Sequence, residues 1–145
     1  DSFEYSQQLS GQLKNLAKNS LKKNPSINIY GNDFKTKDKT SIRDFIHVSD
    51  IADIHLKVLE KINKINKSTL INCGYGYGRS VLQVVKAFQK VIRKKIKIFY
   101  KPKRKADLAQ IIANNSKLKR FLKWKPSYNN LDLMVKSSIK WEKKL

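Results

Sequence analysis

Three of the chain's five glycines fall within five residues, and that cluster limits the fold more than any other feature. Leu70–Ser80 reads LINCGYGYGRS, an apolar run, then glycines at 74, 76 and 78, and then Ser80 and Gln83 three residues apart ahead of VVKAFQKVI. Glycine permits left-handed backbone and close approach by another segment. The stretch therefore predicts a strand over Thr69–Cys73, a tight turn, and a helix that starts at a Ser80–Gln83 capping box. Strand, glycine turn and helix in that order invite a dinucleotide reading, since amides at a helix N-terminus can hold a pyrophosphate. Two details disagree with it. The spacing is GxGxG rather than GxGxxG, and the acidic residue expected about 20 positions on is replaced by RKKIKI around Lys94–Ile96. The loop is read as a close-packing turn.

The flanking sequence supplies short strands and amphipathic helices. Ser10–Lys23 carries Leu13, Leu16, Ala17 and Leu21 at helical spacing and ends at Asn24-Pro25. Ile27–Tyr30 predicts a strand closed by Gly31, followed by a polar loop to Thr40. Ser41–Val48 predicts a second strand, and Ser49 or Asp50 the cap of a helix whose Ile51, Ala52, His55, Val58, Leu59 and Ile62 share a face. Beyond the glycine loop come a strand at Ile96–Tyr100, the basic loop KPKRKAD and a strand at Leu108–Ala113. A helix from Asn115 or Ser116 to about Leu122, a turn at Trp124 and Pro126, and a helix at Leu131–Trp141 complete the series. The last helix places Leu131, Met134, Val135 and Ser138 on one side. The class is mixed α/β, with no internal repeat and no domain boundary.

At 145 residues the chain is about one domain long. Apolar residues make up 40%, which excludes a disordered chain. No apolar run approaches the roughly 18 residues of a membrane span, and the N-terminus has no signal-peptide pattern. The absence of an initiating methionine suggests a piece of something longer. Cys73 is the single cysteine, so neither a disulfide nor a zinc cluster can form, and a reducing, cytoplasmic location is expected. His47 and His55 fall on different elements without metal-ligand spacing. Lys and Arg number 32 against 11 Asp and Glu, a net charge of +21 that raises the question of nucleic acid. The lysines, however, are spread along the outer faces of helices, as in a solvated coat.

Thr40–Leu56, TSIRDFIHVSDIADIHL, puts an arginine, an aspartate and a histidine within five residues of a short strand. Alternation points Arg43, Phe45 and His47 one way and Ile42, Asp44, Ile46 and Val48 the other. A strand-borne arginine is a placed fork for an anionic oxygen; a salt bridge from Arg43 to Asp44 or Asp50 is the plainer reading. Asp44 is expected to accept backbone or arginine hydrogen bonds, and His47 to pack and hydrogen-bond. His47, Ser49 and Asp50 are sequence neighbours, which rarely gives triad geometry. No tyrosine is followed four residues later by lysine, so nothing here performs redox chemistry alone.

The order of motifs resembles a known family. INIYGNDFKTKDKTSIRDFIHVSDIADIHL is similar to the second half of UDP-glucose 4-epimerases, where the run is close to IFGxDYxTxDGTxIRDYIHVxDLAxAH. INCGYGYGRSVLQVV resembles the family's YNxGxGxGxSVxEV, KPKRKADLAQIIAN its xxRRxGDxxxxxAD, and LKRFLKWKPSY its LGWxPxY ending. The likeness runs from about Gln12 onward. It implies the C-terminal part of an extended short-chain dehydrogenase fold, with the Rossmann half, its NAD and its catalytic serine or threonine, tyrosine and lysine all lying in an N-terminal domain missing from this chain. The family oxidises the sugar at C4 with bound NAD, lets the 4-keto intermediate rotate, and returns the hydride to the other face. This chain would hold UDP-glucose or UDP-galactose and would be inactive alone.

By the same resemblance, Arg43 and Arg104 match diphosphate-binding arginines, and Asp107 matches an acid that accepts from the ribose hydroxyls. Tyr30 matches an aromatic beside the uracil, with core packing as the alternative, and the backbone near Asn28 would read the base edge. Gln12 stands near the phosphates. No catalytic residue and no metal ligand is expected in this chain. Lys39, Phe45, Lys103, Ala106 and Ile111 depart from the family pattern, which touches sugar recognition more than nucleotide recognition. The resemblance admits a homodimer of the full-length parent. Beside it stand a basic nucleotide- or RNA-binding module and a truncated, inactive relative.

Overall fold

A computed structural model describes residues 11, 13–64 and 68–145. The elements in chain order are α1 (residues 13–20), β1 (Ser26–Tyr30), β2 (Ile42–Arg43), α2 (Val48–Glu60), β3 (Arg79–Ser80), α3 (Val81–Ile92), β4 (Lys97–Lys101), β5 (Gln110–Ile111), α4 (Ser116–Leu122) and α5 (Leu131–Glu142). They form two compact units. One takes the chain up to Ser41 with Ser80–Ala109 and Asn130–Leu145; the other takes Ile42–Arg79 and Gln110–Asn129. A boundary crossed four times leaves no linker and no composition shift, which is why the sequence reads as undivided. Among the described residues no helix is long and apolar enough to cross a membrane.

In the first unit β1 and β4 pair in parallel, in register from Ser26 opposite Lys97 to Tyr30 opposite Lys101. Parallel neighbours need a long crossover, and α3 lies on it. Val84, Val85 and Phe88 of α3 are buried, as are Met134, Val135 and Ile139 of α5, which packs against it. Ile139, not Ser138, continues the apolar face that the sequence predicts for α5. The capping box forms as expected: Gln83 N–H donates to Ser80 Oγ at 3.1 Å, and Ser80 N–H to Gln83 Oε1 at 2.9 Å. Ser80 Oγ also donates to Asp38, and Leu82 N–H donates to Thr40 Oγ1 at 3.2 Å. The polar loop after β1 is thereby tied to the start of α3. Lys39 in that loop has φ 62°, so the position where the family pattern carries glycine keeps a glycine-like backbone under a lysine side chain.

In the second unit β2 and β5 pair in parallel, Ile42 opposite Gln110 and Arg43 opposite Ile111, and α2 packs against α4. Four expectations are corrected. The strand predicted over Ser41–Val48 is only Ile42–Arg43, and that over Leu108–Ala113 only Gln110–Ile111. The ladder ends because Asp44 N–H still reaches Ile111 O, at 3.1 Å, but the chain then turns into α2. The cap of α2 is His47, whose Nδ1 accepts from Ser49 N–H at 3.0 Å, because the Asp50 carboxylate is engaged elsewhere. Residues 69–73 are not in a strand, and Leu70 is 82% exposed; apolar character makes no ladder without a paired neighbour. The glycine loop is the close-packing turn expected. A Cβ on Gly74 would lie 2.5 Å from Ala113 Cβ and 2.6 Å from Asp44 Oδ2, and one on Gly78 would collide with Ile42 Cγ2.

Candidate functional site

The first unit gathers four of the six residues singled out as binding groups. β1 alternates, so Ile29 is buried while Asn28 and Tyr30 face outward on either side of it. Asn28 and Tyr30 line one small cavity together with Asp107, Leu16 and Val81. Its volume of about 20 Å³ admits a single water-sized group, so a ring-sized ligand has to lie across its mouth. Tyr30 is 38% exposed. The Arg104 guanidinium sits 4.1 Å from the centroid of its ring, within cation–π range.

The loop after β4 is what delivers Arg104 and Asp107. Gly31 N–H donates to Lys101 O at 2.9 Å, extending the β1–β4 pairing by a residue. Asp107 N–H donates to Arg104 O at 3.2 Å, which closes a turn and puts the cation and the carboxylate on one short segment. Lys103, one residue earlier, lies 5.0 Å over the Phe34 ring and 3.6 Å from Asp33. Two consecutive cations of the basic loop thus rest on two aromatics, Tyr30 at the end of β1 and Phe34 in the segment that follows it. The result is a surface with a planar cation for anionic oxygens, an aromatic face for a base, and a carboxylate that only accepts, as vicinal hydroxyls require. From the sequence Lys103 stood out only as a departure from the family pattern, and Phe34 not at all. A lysine beside Arg104, together with an aromatic four residues after Tyr30, was the available signal.

Arg43 lies in the second unit and is buried, 5% exposed; its Nη1 donates to Ile42 O at 2.8 Å. Around it the unit is organised by two carboxylates. Asp44 accepts from Tyr75 N–H at 3.0 Å, Gly76 N–H at 2.9 Å and Ala113 N–H at 3.3 Å. Asp50, 1% exposed, accepts from Tyr75 O–H at 2.6 Å, Ser127 N–H at 2.9 Å and Tyr128 N–H at 3.0 Å. Tyr75 Oη in turn accepts from His47 N–H at 3.1 Å. Burial, with the hydrogen bond to Asp50 second, pushes the Tyr75 phenol well above the usual tyrosine range. His47 stacks on Tyr128 with centroids 4.9 Å apart. Asp44 and His47 have the bonding and packing roles expected of them. Tyr75 as the link between the two carboxylates was missed; a tyrosine held between Gly74 and Gly76 was its only trace.

The same geometry decides the dinucleotide question. The loop amides that could face a pyrophosphate, those of Tyr75 and Gly76, already hold the chain's own Asp44 carboxylate. A phosphate there would have to displace a tethered anion, so this loop does not fit a dinucleotide pyrophosphate. Gln12 lies outside the described residues. Among those described, no group of three His, Cys, Asp or Glu could hold a metal ion.

Comparison with known proteins adds to this geometry. The sequence profile of the NAD dependent epimerase/dehydratase family matches residues 2–74. A UDP-glucose 4-epimerase of Azospirillum brasilense is 38% identical over 125 residues, covering 86% of this chain and 36% of that protein. A UDP-Glc/GlcNAc 4-epimerase of Campylobacter jejuni superposes with a TM-score of 0.83 at 39% identity, over 94% of this chain and 41% of that one. The UDP-glucose-4-epimerase of Stenotrophomonas maltophila, solved with NAD and formylated UDP-arabinopyranose, gives 0.85 at 30% identity, over 93% and 40%. The chain spans about a third of the length of the curated relatives it matches.

Proposed function

Since the chain belongs to the NAD dependent epimerase/dehydratase family, we propose that it is the UDP-sugar-binding, C-terminal part of a UDP-glucose 4-epimerase. The parent protein interconverts UDP-glucose and UDP-galactose through a transient 4-keto sugar, with NAD bound by a separate N-terminal domain. NAD supplies the hydride acceptor and donor there; none of that chemistry is assigned to residues of this chain. What these residues do is bind and orient. In the first unit Arg104 takes a diphosphate oxygen, Tyr30 carries the uracil, Asn28 lies at the base edge, and Asp107 accepts from the ribose hydroxyls; for Arg43, in the second unit, diphosphate binding is proposed from the motif alone. The single thiol, Cys73, fits a reducing, cytoplasmic setting, and galactose metabolism is the corresponding role.

The observation that carries the reading is the convergence of Asn28, Tyr30 and Asp107 on one cavity with Arg104 stacked on Tyr30. A lysine coat gathered for charge alone would have no reason to set an aromatic, a carboxylate and a guanidinium together. The test is a UDP titration of the chain followed at backbone amides. Shifts are expected at residues 28–31 and 104–107. Shifts distributed over lysine-rich helix faces instead, with residues 28–31 silent, contradict it.

A further inference from the structure

The helices of the first unit leave a groove of about 620 Å³ at the end where β1 and β4 begin. α1 ends shortly before Ser26 and α3 shortly before Lys97, and both ends line the groove together with the second half of α5. Tyr30 and the loop carrying Arg104 and Asp107 lie where the same strands finish. The groove therefore shares no residue with the candidate nucleotide site. Its apolar surface comes from Leu21, Val91, Ile92 and Ile139; Ile139 is buried and Leu21 is 41% exposed. Ser20 is buried beside them, and its hydroxyl is spent on its own helix, donating to Ala17 O at 2.6 Å. Lys94, Lys136, Lys140 and Lys143 complete the lining, and all four are exposed. Among the described residues no acid lines the groove, and none of these lysines is in an ion pair. Elsewhere on the same two helices Lys90 of α3 is paired with Asp132 of α5 at 2.5 Å. Charge is balanced beside the groove and unbalanced within it.

We infer that this groove receives an acidic, amphipathic helical segment of a partner protein, its carboxylates against the lysines and its apolar side chains against the floor. Lys136, Lys140 and Lys143 are four and three residues apart, so they form one row along α5 and its cap, spanning about 10 Å. Carboxylates at the same intervals on a second helix meet that row. Lysine is a mobile point charge rather than a planar fork, which suits carboxylates repeated along a helix better than a single oxyanion fixed in one geometry. The other anionic occupants fit less well. A nucleic acid finds neither an aromatic side chain nor an arginine in the groove to stack on its bases. A membrane surface needs apolar side chains that protrude, whereas here Ile139 is buried and the lysines stand out. A second copy of this chain brings a net charge of +21 against the same cations.

The probe is a labelled synthetic helix of leucine and glutamate, capped at both ends, with its leucines on one face. A peptide of the same composition, scrambled so that the leucines share no face, is its control. Titrated into the chain, the helix should shift backbone amides at residues 20–21, 91–94 and 136–143 and leave 28–31 and 104–107 silent. Lys136→Glu combined with Lys140→Glu should weaken its binding by at least about 10-fold. Lys136→Gln combined with Lys140→Gln, the gentler change, should give a smaller loss in the same direction. Lys117→Glu combined with Lys119→Glu, on α4, alters net charge by the same amount and should weaken binding by less than about 2-fold. Leu21→Ser should cost about 3-fold through the apolar floor, and that loss should persist as salt rises. Equal losses from the two glutamate pairs, or equal binding of the scrambled peptide, overturn the inference, because net charge alone is then at work. No binding of the helix overturns it as well. So does tighter binding of a single-stranded oligonucleotide, or of vesicles of anionic phospholipid, that the Lys136 and Lys140 changes abolish; the groove would then belong to a nucleic acid or a membrane.

Discussion

Asp50→Asn is the perturbation whose cost can be worked most directly. Oδ2 accepts from Tyr75 O–H and Tyr128 N–H, and Oδ1 from Ser127 N–H. An asparagine has one oxygen. Placed at Oδ2, it keeps two partners and aims its NH2 at the Ser127 N–H, donor against donor. The lost charged hydrogen bond is worth about 1.5–3 kcal/mol. The two that remain fall to neutral strength, roughly half. Removing a buried charge returns part of this, because the carboxylate no longer has to be desolvated. The net expectation is a loss of about 2–4 kcal/mol, or roughly 7–13 °C in melting temperature for a chain of this size. Thermal melts followed by far-ultraviolet circular dichroism measure it. The near-ultraviolet signal should fall at the same time, because Tyr75 lies parallel to Trp124 with centroids 6.2 Å apart. Asp53→Asn is the control: Asp53 meets the part-exposed Lys57 and can still accept from Trp124 as an amide, so about 1 kcal/mol or less is expected. If Asp50→Asn melts within 2 °C of the parent, or no lower than Asp53→Asn, the hub argument fails.

Two further outcomes follow from the backbone and from titration. Lys39→Gly should stabilise the chain by about 0.5–1 kcal/mol, because it relieves a left-handed lysine; a lowered melting temperature would contradict the turn geometry. Tyr75, whose folded phenol titrates above its unfolded value of about 10, contributes stability that is fully present below pH 10 and is lost as pH rises beyond it. Denaturant titrations of the parent and Tyr75→Phe at pH 8, 10 and 11 should show their stability difference shrinking with pH, and a constant difference would count against the buried Tyr75–Asp50 bond.

The parts of this structure that were legible in the sequence are those decided locally. The Ser80–Gln83 capping box needs only residues three apart, and β1 and α5 are periodic over whole elements. The glycine loop could be read as a packing turn from its spacing, but not what packs there: Asp44 comes from thirty residues upstream, and only the fold supplies it. The strand predicted over Ser41–Val48 kept its alternation of burial after leaving the ladder, with Arg43, Phe45 and His47 buried and Ile42, Asp44 and Ile46 less so. Period two therefore survived where hydrogen-bonded pairing did not. The face of α2 was read from apolar spacing alone. Spacing identifies a stripe but not the side on which the rest of the chain lies, and here Ile54, 2% exposed, turns inward with the carboxylates at 50 and 53 while Ala52, His55 and Leu59 stay exposed. At the candidate site the identities of Asn28, Tyr30, Arg104 and Asp107 came from motif resemblance. Their convergence, and the stacking of Arg104 on Tyr30, required the β1–β4 register.

The central claim, that a built nucleotide site and not diffuse charge holds the ligand, is tested most directly by titrating UDP into the chain and into Arg104→Ala, Arg104→Lys and Lys57→Ala at two salt concentrations. Arg104→Ala should weaken UDP binding by about 10-fold to 100-fold, the worth of one charge-assisted hydrogen bond. Arg104→Lys should recover little, because an ammonium lacks both the planar fork and the flat contact with Tyr30. Lys57→Ala should change nothing. Equal losses from the Arg104 and Lys57 variants, shrinking together as salt rises, would show that only the lysine-rich surface is at work.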